Sequence, residues 1–223
     1  MKSTTVELPK ILQPMFCKDI IRIGKENDGG YLLNEKDLKK AKHLLSFGIG
    51  EDISFEREFT EIQKCSVTAY DGTIENIHND FFRNGNKIIN SNIESEEQFQ
   101  DIINQFEGDV YLKCDIDFSE YKIIYSIIKN VSKFSGISIE FHGISDYKNF
   151  NEMTNFISKL KMDLIHTHIN NYSYSRIGDK IIPDVLELTF TSSNNCEYDR
   201  NLNLPHNLDM INNPNGLNFI TVF

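Results

Sequence analysis

Gly48-Ile49-Gly50 closes a short apolar run, Leu44-Leu45-Ser46-Phe47, and Asp71 closes a second one, Ser66-Val67-Thr68-Ala69-Tyr70. The segment between them opens with a helical stretch, Ser54 to Phe59. Glycines at the end of a strand let the backbone approach a ligand, and an acid at the end of the next strand can accept ribose hydroxyls. Asp71 lies 21 residues beyond Gly50 (71 − 50), near the roughly 20 residues expected of a ribose-binding acid. A dinucleotide fingerprint places a third glycine three residues on; here that position is Ile53, and Glu51-Asp52 follow Gly50 directly. Two carboxylates beside a pyrophosphate would repel it. They fit a cofactor with a ribose, a positive charge and no phosphate, which favours S-adenosylmethionine over NAD.

A second constellation consists of pairs spaced i, i+2. Alternate residues of a strand share a face, so Glu140 and His142 lie together at one strand end, Asp115 and Asp117 at a neighbouring one, and His166 and His168 on a third. In a parallel sheet such ends converge on one edge, where ligands bind. Transfer of a methyl group to a hydroxyl requires the hydroxyl to lose its proton. His142 could accept it, or a divalent ion could make it more acidic. Asp115 and His142 are therefore the candidate catalytic residues. Asp115, Asp117, Glu140 and His142 are the candidate ligands of an ion, and so oxygen-rich a set suits Mg²⁺ or Mn²⁺. His166 is expected to satisfy a loop or pack beneath the tail, and Glu187 to bond neighbouring backbone, with a substrate contact as its alternative.

The elements that must position these residues alternate. Strands are expected at Leu44–Phe47, Ser66–Tyr70, Lys87–Ile89, Val110–Asp115, Gly136–His142, Leu164–Ile169 and Val185–Phe190. Helices are expected at Ile74–Phe82, Ser95–Phe106 with Ser95 as cap, Glu120–Val131 capped by Ser119, and Tyr147–Leu160. Strands alternating with helices mean a mostly parallel sheet; the last two, with no helix between them, are expected to pair antiparallel. Upstream, Asp28-Gly29-Gly30 is turn chemistry and predicts a hairpin between Arg22 and Leu33, placed so that Arg22 or Tyr31 could reach the cofactor as a flap. The tail, Asn201 to Phe223, is expected to pack as loop and edge strand. Neither a repeat nor a linker is visible, so one domain is expected over 1–223, with a cap or flap segment at 1–43 and the core at 44–223.

A chain of 223 residues, 39% of them hydrophobic, can bury a sizeable core. The formal net charge of −10 argues against nonspecific nucleic-acid binding, which needs a basic face. No apolar run approaches the roughly 20 residues of a membrane span, and Met1 to Thr5 lead into no signal-like segment, so a cytoplasmic location is expected. Cys17, Cys65, Cys114 and Cys196 form no paired motif and read as structural thiols.

Taken in order, Arg22-Ile-Gly24 with Asp28-Gly-Gly-Tyr31, Ser46-Phe-Gly-Ile-Gly50, Asp71-Gly-Thr73, Leu112-Lys-Cys-Asp115-Ile-Asp117, Ile139-Glu-Phe-His142 and Leu186-Glu-Leu-Thr-Phe190 span nearly the whole chain. Together they resemble a class I S-adenosylmethionine-dependent methyltransferase of the FkbM-like group. The resemblance implies a Rossmann-like α/β fold with a seven-stranded, mostly parallel sheet in the order 3-2-1-4-5-7-6 and a terminal antiparallel strand. It implies a cofactor at the ends of the first, second and fourth strands, held by Phe47, Gly48, Gly50, Glu51, Asp71, Gly72, Thr73 and Asp115. It also implies O-methylation of a sugar or nucleotide-linked sugar destined for a bacterial surface or capsular polysaccharide. The family often carries Asp-Ile-Glu-Gly after the fourth strand; this chain has Asp115-Ile116-Asp117-Phe118. Two other classes compete: an NAD-linked oxidoreductase on the same plan, and a degenerate fold kept for partner binding.

Overall fold

The computed structural model describes residues 3–74, 80–83, 85–178, 180–199, 202 and 204–223. Short runs rich in β-branched and aromatic residues pair into one seven-stranded sheet. In chain order its strands are β1 (His43–Phe47), β2 (Ser66–Tyr70), β3 (Lys87–Ile89), β4 (Val110–Cys114), β5 (Phe134–His142), β6 (Asp163–Ile169) and β7 (Val185–Thr191). Their spatial order is β3-β2-β1-β4-β5-β7-β6. Strands β1 to β5 run parallel. Strand β7 is antiparallel to both β5 and β6. This is the expected Rossmann-like α/β arrangement with the seventh strand inserted antiparallel.

The central strands are buried on both faces, as sheets covered by helices on both sides require. Leu45, Phe47, Leu112, Ile137, Ile139 and Phe141 face one apolar cluster. Leu44, Val67, Ala69 and Tyr111 face the other, so neighbours along a strand such as Leu44 and Leu45 point to opposite sides. The first cluster is closed by α3 (Glu96–Ile103), α4 (Ile124–Lys129) and α5 (Tyr147–Lys159), the second by α1 (Glu35–Lys40) and α2 (Ser54–Gln63). Local chemistry sets the helix ends. The Asp146 side chain accepts from the Lys148 and Asn149 N–H groups to start α5, Ser95 accepts from the Gln98 N–H to start α3, and α2 stops at Lys64 in the left-handed region, φ 59°.

Several expectations change. The helix expected over Glu120–Val131 is broken: Ser119–Lys122 and Val131–Lys133 are 3₁₀ turns around the short α4. Asp117 and Phe118 both turn through positive φ, 39° and 71°, so Ser119 is already inside the turn and caps nothing. The stretch holding Gly178 forms a small hairpin, Tyr174–Ile177 with Lys180–Pro183. The tail does not extend the central sheet; Asn218–Val222 pairs in parallel with Ser3–Glu7 in a separate two-stranded sheet. The helix expected over Ile74–Phe82 lies largely outside the described residues. Among the described residues, no helix is long and apolar enough to cross a membrane. All four cysteines are free thiols.

The Asp-Gly-Gly hairpin forms as expected, Ile20–Ile23 against Tyr31–Asn34. Arg22 turns back into it: its NH1 and NH2 groups donate to the Gly24, Lys25 and Asn27 carbonyls. The loop docks on the start of α2, where Glu58 accepts the Gly24 N–H at 2.7 Å and Ser54 Oγ the Lys25 N–H at 2.9 Å.

Candidate active site

At the carboxyl ends of β1, β2 and β4 lies a cleft of about 560 Å³, bounded on one side by the hairpin loop through Lys25, Asp28 and Gly29. The β1 and β4 ends touch there. A Cβ on Gly48, whose φ is +70°, would stand 1.5 Å from the Asp115 carbonyl oxygen, so only glycine lets the two loops close. Gly50 has nothing within 4 Å of its Cβ position, which leaves its backbone open to the cleft. Below this turn the buried Lys113 donates to the Gly48 carbonyl. Burial opposes its charge, but Asp115, Glu56 and Glu140 outweigh burial and raise its pKa.

Asp71 stands at the expected place with its carboxylate already engaged. Oδ2 accepts the Ile49 and Gly50 N–H groups at 3.0 and 2.7 Å, and Oδ1 accepts the Thr73 N–H and hydroxyl, both at 2.7 Å. A carboxylate offers about four lone-pair sites, so a ribose hydroxyl would have to replace one of these donors, most simply the Thr73 hydroxyl. Burial raises the Asp71 pKa, and the bonds from Thr73, Gly50 and Ile49 more than reverse that, leaving it lowered. Of the other residues expected to meet a cofactor, Gly48, Gly50, Glu51, Asp71, Thr73 and Asp115 line the cleft. Phe47 and Gly72 do not. The Phe47 ring packs against Tyr70 and Phe99 in the core, and its carbonyl accepts the Asp115 N–H at 2.9 Å. Gly72 is covered by Asn92, whose Oδ1 accepts its N–H at 3.0 Å.

The acid–histidine pairs converge as a smaller set than expected. Ligand atoms of Asp115, Glu140 and His142 all lie within 4.8 Å of one another. Asp117 stays outside that set: its side chain is 92% exposed, although one oxygen lies 3.5 Å from His142 Nε2. Behind the histidine stands a residue that sequence reasoning missed. The fully buried Glu120 accepts the His142 backbone N–H at 2.8 Å and faces Nδ1 at 3.3 Å. An Nδ1–H donated to Glu120 leaves the Nε2 lone pair toward Asp115 and Glu140, the arrangement in which a carboxylate orients a metal-binding imidazole. Tyr31, on the hairpin, shares its hydroxyl between Asp115 and Glu140 at 3.3 Å each, and Asn170 donates to Glu140 at 2.9 Å.

These groups crowd negative charge into a buried space. Glu140 is pushed well above the usual carboxylate range, first by burial and then by Asp115 and Glu187. Burial alone would lower the His142 pKa; Glu120, Asp115 and Asp117 outweigh burial and raise it. Protons on Glu140 and His142, or a cation in their place, relieve the repulsion. Of the residues that sequence reasoning missed here, Lys113 had a local sign, a lysine inside an otherwise apolar strand. Glu120 and Asn170 gave none.

His166 and His168 do not reach this cleft. Their strand is separated from β5 by β7, and they meet Asp209 of the tail at 2.8 and 3.4 Å. Burial would lower the His168 pKa, but Asp209 and Glu187 push it up to about 9. Burial would raise the Asp209 pKa, and the two histidines instead hold it far below the usual range.

No family model matches the chain, and no curated protein sequence matches it. Among solved structures it is similar to the precorrin-6y C5,15-methyltransferase of Geobacter metallireducens GS-15, with 11% identity over 70% of this chain and 86% of that one and a TM-score of 0.42. It is also similar to the human methyltransferase 10 domain containing protein, with 11% identity over 68% and 72% and a TM-score of 0.40. A third is the 16S rRNA (adenine(1408)-N(1))-methyltransferase from Catenulisporales acidiphilia, with 13% identity over 81% and 100% and a TM-score of 0.38. At such values the fold assignment rests on the strand order and directions described above.

Proposed function

We propose that this chain is an S-adenosylmethionine-dependent O-methyltransferase of the FkbM-like kind, acting on a sugar hydroxyl with the help of a divalent cation. The observation that carries the reading is the charge of the cleft over the strand ends. Glu51, Asp52, Asp71, Asp115 and Glu140 all line it. The cations present are engaged: Lys25 pairs with Asp52 at 3.1 Å, and Lys113 is held beneath the glycine turn. Such a lining repels a pyrophosphate and attracts an ammonium and a sulfonium.

When bound, S-adenosylmethionine supplies an electrophilic methyl group. The chain's residues fit it: Gly50 leaves room for close approach, acids surround the turn, and Tyr70, Ile93 and Ile116 offer apolar lining for a flat base. Asp115, Glu140 and His142 would hold Mg²⁺ or Mn²⁺, with Glu120 fixing the imidazole and Tyr31 the two carboxylates. Such an ion makes a bound hydroxyl more acidic. Among the described lining residues both lysines are engaged, so a neutral sugar hydroxyl fits the acidic cleft more directly than a phosphate. A nucleotide-linked sugar, the donor form used to build surface polysaccharide, would place its phosphates outside this lining.

The test is a thermal-shift comparison of S-adenosylhomocysteine with NAD. The former is expected to raise Tm and the latter not; the reverse ranking overturns the reading. Mn²⁺ binding, followed by electron paramagnetic resonance, is expected in the parent and lost in Glu140→Gln. Turnover with neutral and nucleotide-linked sugars should stop after EDTA treatment and return with Mg²⁺ or Mn²⁺. Full activity in metal-stripped enzyme rejects the cation and leaves His142 as the base.

A further inference from the structure

The tail and strand β6 meet in a second cluster, away from the cleft, that the methyl-transfer reading does not use. Ligand atoms of His166, His168 and Asp209 lie within 4.8 Å of one another. We propose that His166 Nε2, His168 Nδ1 and Asp209 Oδ1 form a zinc site that fastens the tail to the sheet, with its fourth coordination position toward the neighbouring cavity.

The hydrogen bonds around the cluster decide which atoms are available. Asn212 Nδ2 donates to Glu187 at 2.7 Å and to Asp28 at 3.0 Å. Two carboxylates on one side fix the amide's orientation, so its oxygen is the atom that faces His168 Nε2 at 2.8 Å. That nitrogen must therefore carry a hydrogen, so Nδ1, which faces Asp209, is the ring atom left for a metal, which would displace the proton shared with that carboxylate. A histidine that donates its far N–H to a fixed acceptor has the second-sphere arrangement of a metal ligand. Asp209 is oriented in the same way: Oδ2 accepts the His206 N–H at 2.6 Å, which leaves Oδ1 for the histidines.

His166 supplies an independent sign. Its side chain is 5% exposed, and Nε2 has no directed hydrogen bond. Asp209 Oδ1 is 2.8 Å away, near enough for charge pairing but off the hydrogen-bonding direction. In a tetrahedron with bonds of 2.0–2.1 Å, ligand atoms lie about 3.3 Å apart. The two nitrogen–oxygen separations, 2.8 and 3.4 Å, bracket that edge. Two imidazoles and one carboxylate are nitrogen-rich, which suits zinc, whereas the Asp115 cluster is oxygen-rich and suits Mg²⁺ or Mn²⁺. His168 and Asp209 also line a cavity of about 240 Å³ with Thr167, Asn171 and Phe219, room for a water on the open position.

The experiment uses the full chain carrying Asp115→Asn and Glu140→Gln, so that the other cluster cannot answer for this one. Protein stripped with a chelator is titrated with Zn²⁺ against a chromophoric competitor, and separately with Co²⁺. One equivalent of Zn²⁺ should bind, at least a hundredfold more weakly after His168→Ala or Asp209→Asn. Co²⁺ should give visible bands of four-coordinate strength that Zn²⁺ abolishes. Zinc affinity unchanged within threefold in both variants, or no zinc uptake with no such bands, overturns the proposal and leaves an ion-paired clamp only. Should the variants fail to fold, the cobalt spectrum of the unsubstituted cluster decides.

Discussion

Replacing Asp71 by Asn keeps the shape of the side chain while removing its charge and one acceptor oxygen. The amide can turn its NH2 toward Thr73, whose hydroxyl rotates to accept, and keep its oxygen toward the Ile49 and Gly50 N–H groups. The Thr73 N–H, now 2.7 Å from an acceptor, then faces a donor. Thr73 is exposed, so water can take over its N–H, and the loss is mainly the charge assistance of the two bonds that remain, about 1–2 kcal/mol. That is a measurable part of a typical stability of about 5–15 kcal/mol. For a chain of this length it corresponds to a Tm lower by about 2–8 °C. Affinity for S-adenosylhomocysteine should fall roughly ten- to a hundredfold, because the glycine turn proposed to receive the cofactor loses its anchor. Urea unfolding and calorimetry read the two effects separately. A residue that only accepted ribose hydroxyls would lower affinity and leave stability alone; unchanged stability in Asp71→Asn would refute the anchoring role. The pH dependence follows from the lowered pKa of the folded state. The Asp71 contribution is present above the unfolded value of about 3.9 and is lost as pH falls through the lower folded value.

Gly48→Ala should abolish cofactor binding and lower Tm sharply, since the new methyl meets the Asp115 carbonyl at 1.5 Å with φ at +70°; a melting curve and binding isotherm matching the parent's would contradict the contact between the two loops. Glu120→Gln should weaken Mn²⁺ binding roughly tenfold or more without removing it, as expected for an outer-sphere partner of His142; an unaltered resonance titration would remove Glu120 from that role. His43 is held at about 4, chiefly by burial and then by Lys87, while its ring bonds Ser66 and Thr68 and stacks on Phe106. The unfolded chain takes up that proton near pH 6.5, so stability should fall as pH drops from about 6.5 toward 4. His43→Gln should flatten this part of the profile, and parallel profiles for the two proteins would count against it.

The sequence by itself determined what local periodicity and turn chemistry can encode. Apolar runs of strand length and the missing helix before Val185 gave the alternating order and the antiparallel final pair. Asp28-Gly29-Gly30 gave the hairpin, Ser95 the start of α3, and the spacing of Gly48, Gly50 and Asp71 the place of the cleft. The hairpin and the helix start depend on residues a few positions apart, whose conformational preferences act before any tertiary contact exists; the Gly50 to Asp71 spacing was legible because one strand–helix–strand unit fixes its length. Tertiary structure alone decided where the polar atoms point. Phe47 ends the strand that carries the glycine turn, yet its ring serves the core. Asp117 shares the i, i+2 spacing of its neighbours, but positive φ at 117 and 118 carries it out to solvent. Glu120 reaches His142 from 22 residues away, and Asp209 reaches His166 and His168 from the tail. Nothing near Glu120 or Asp209 in sequence marks these meetings, because a carboxylate's partner is fixed by how strands and loops assemble in space, and its cost of burial is settled only once that partner has arrived.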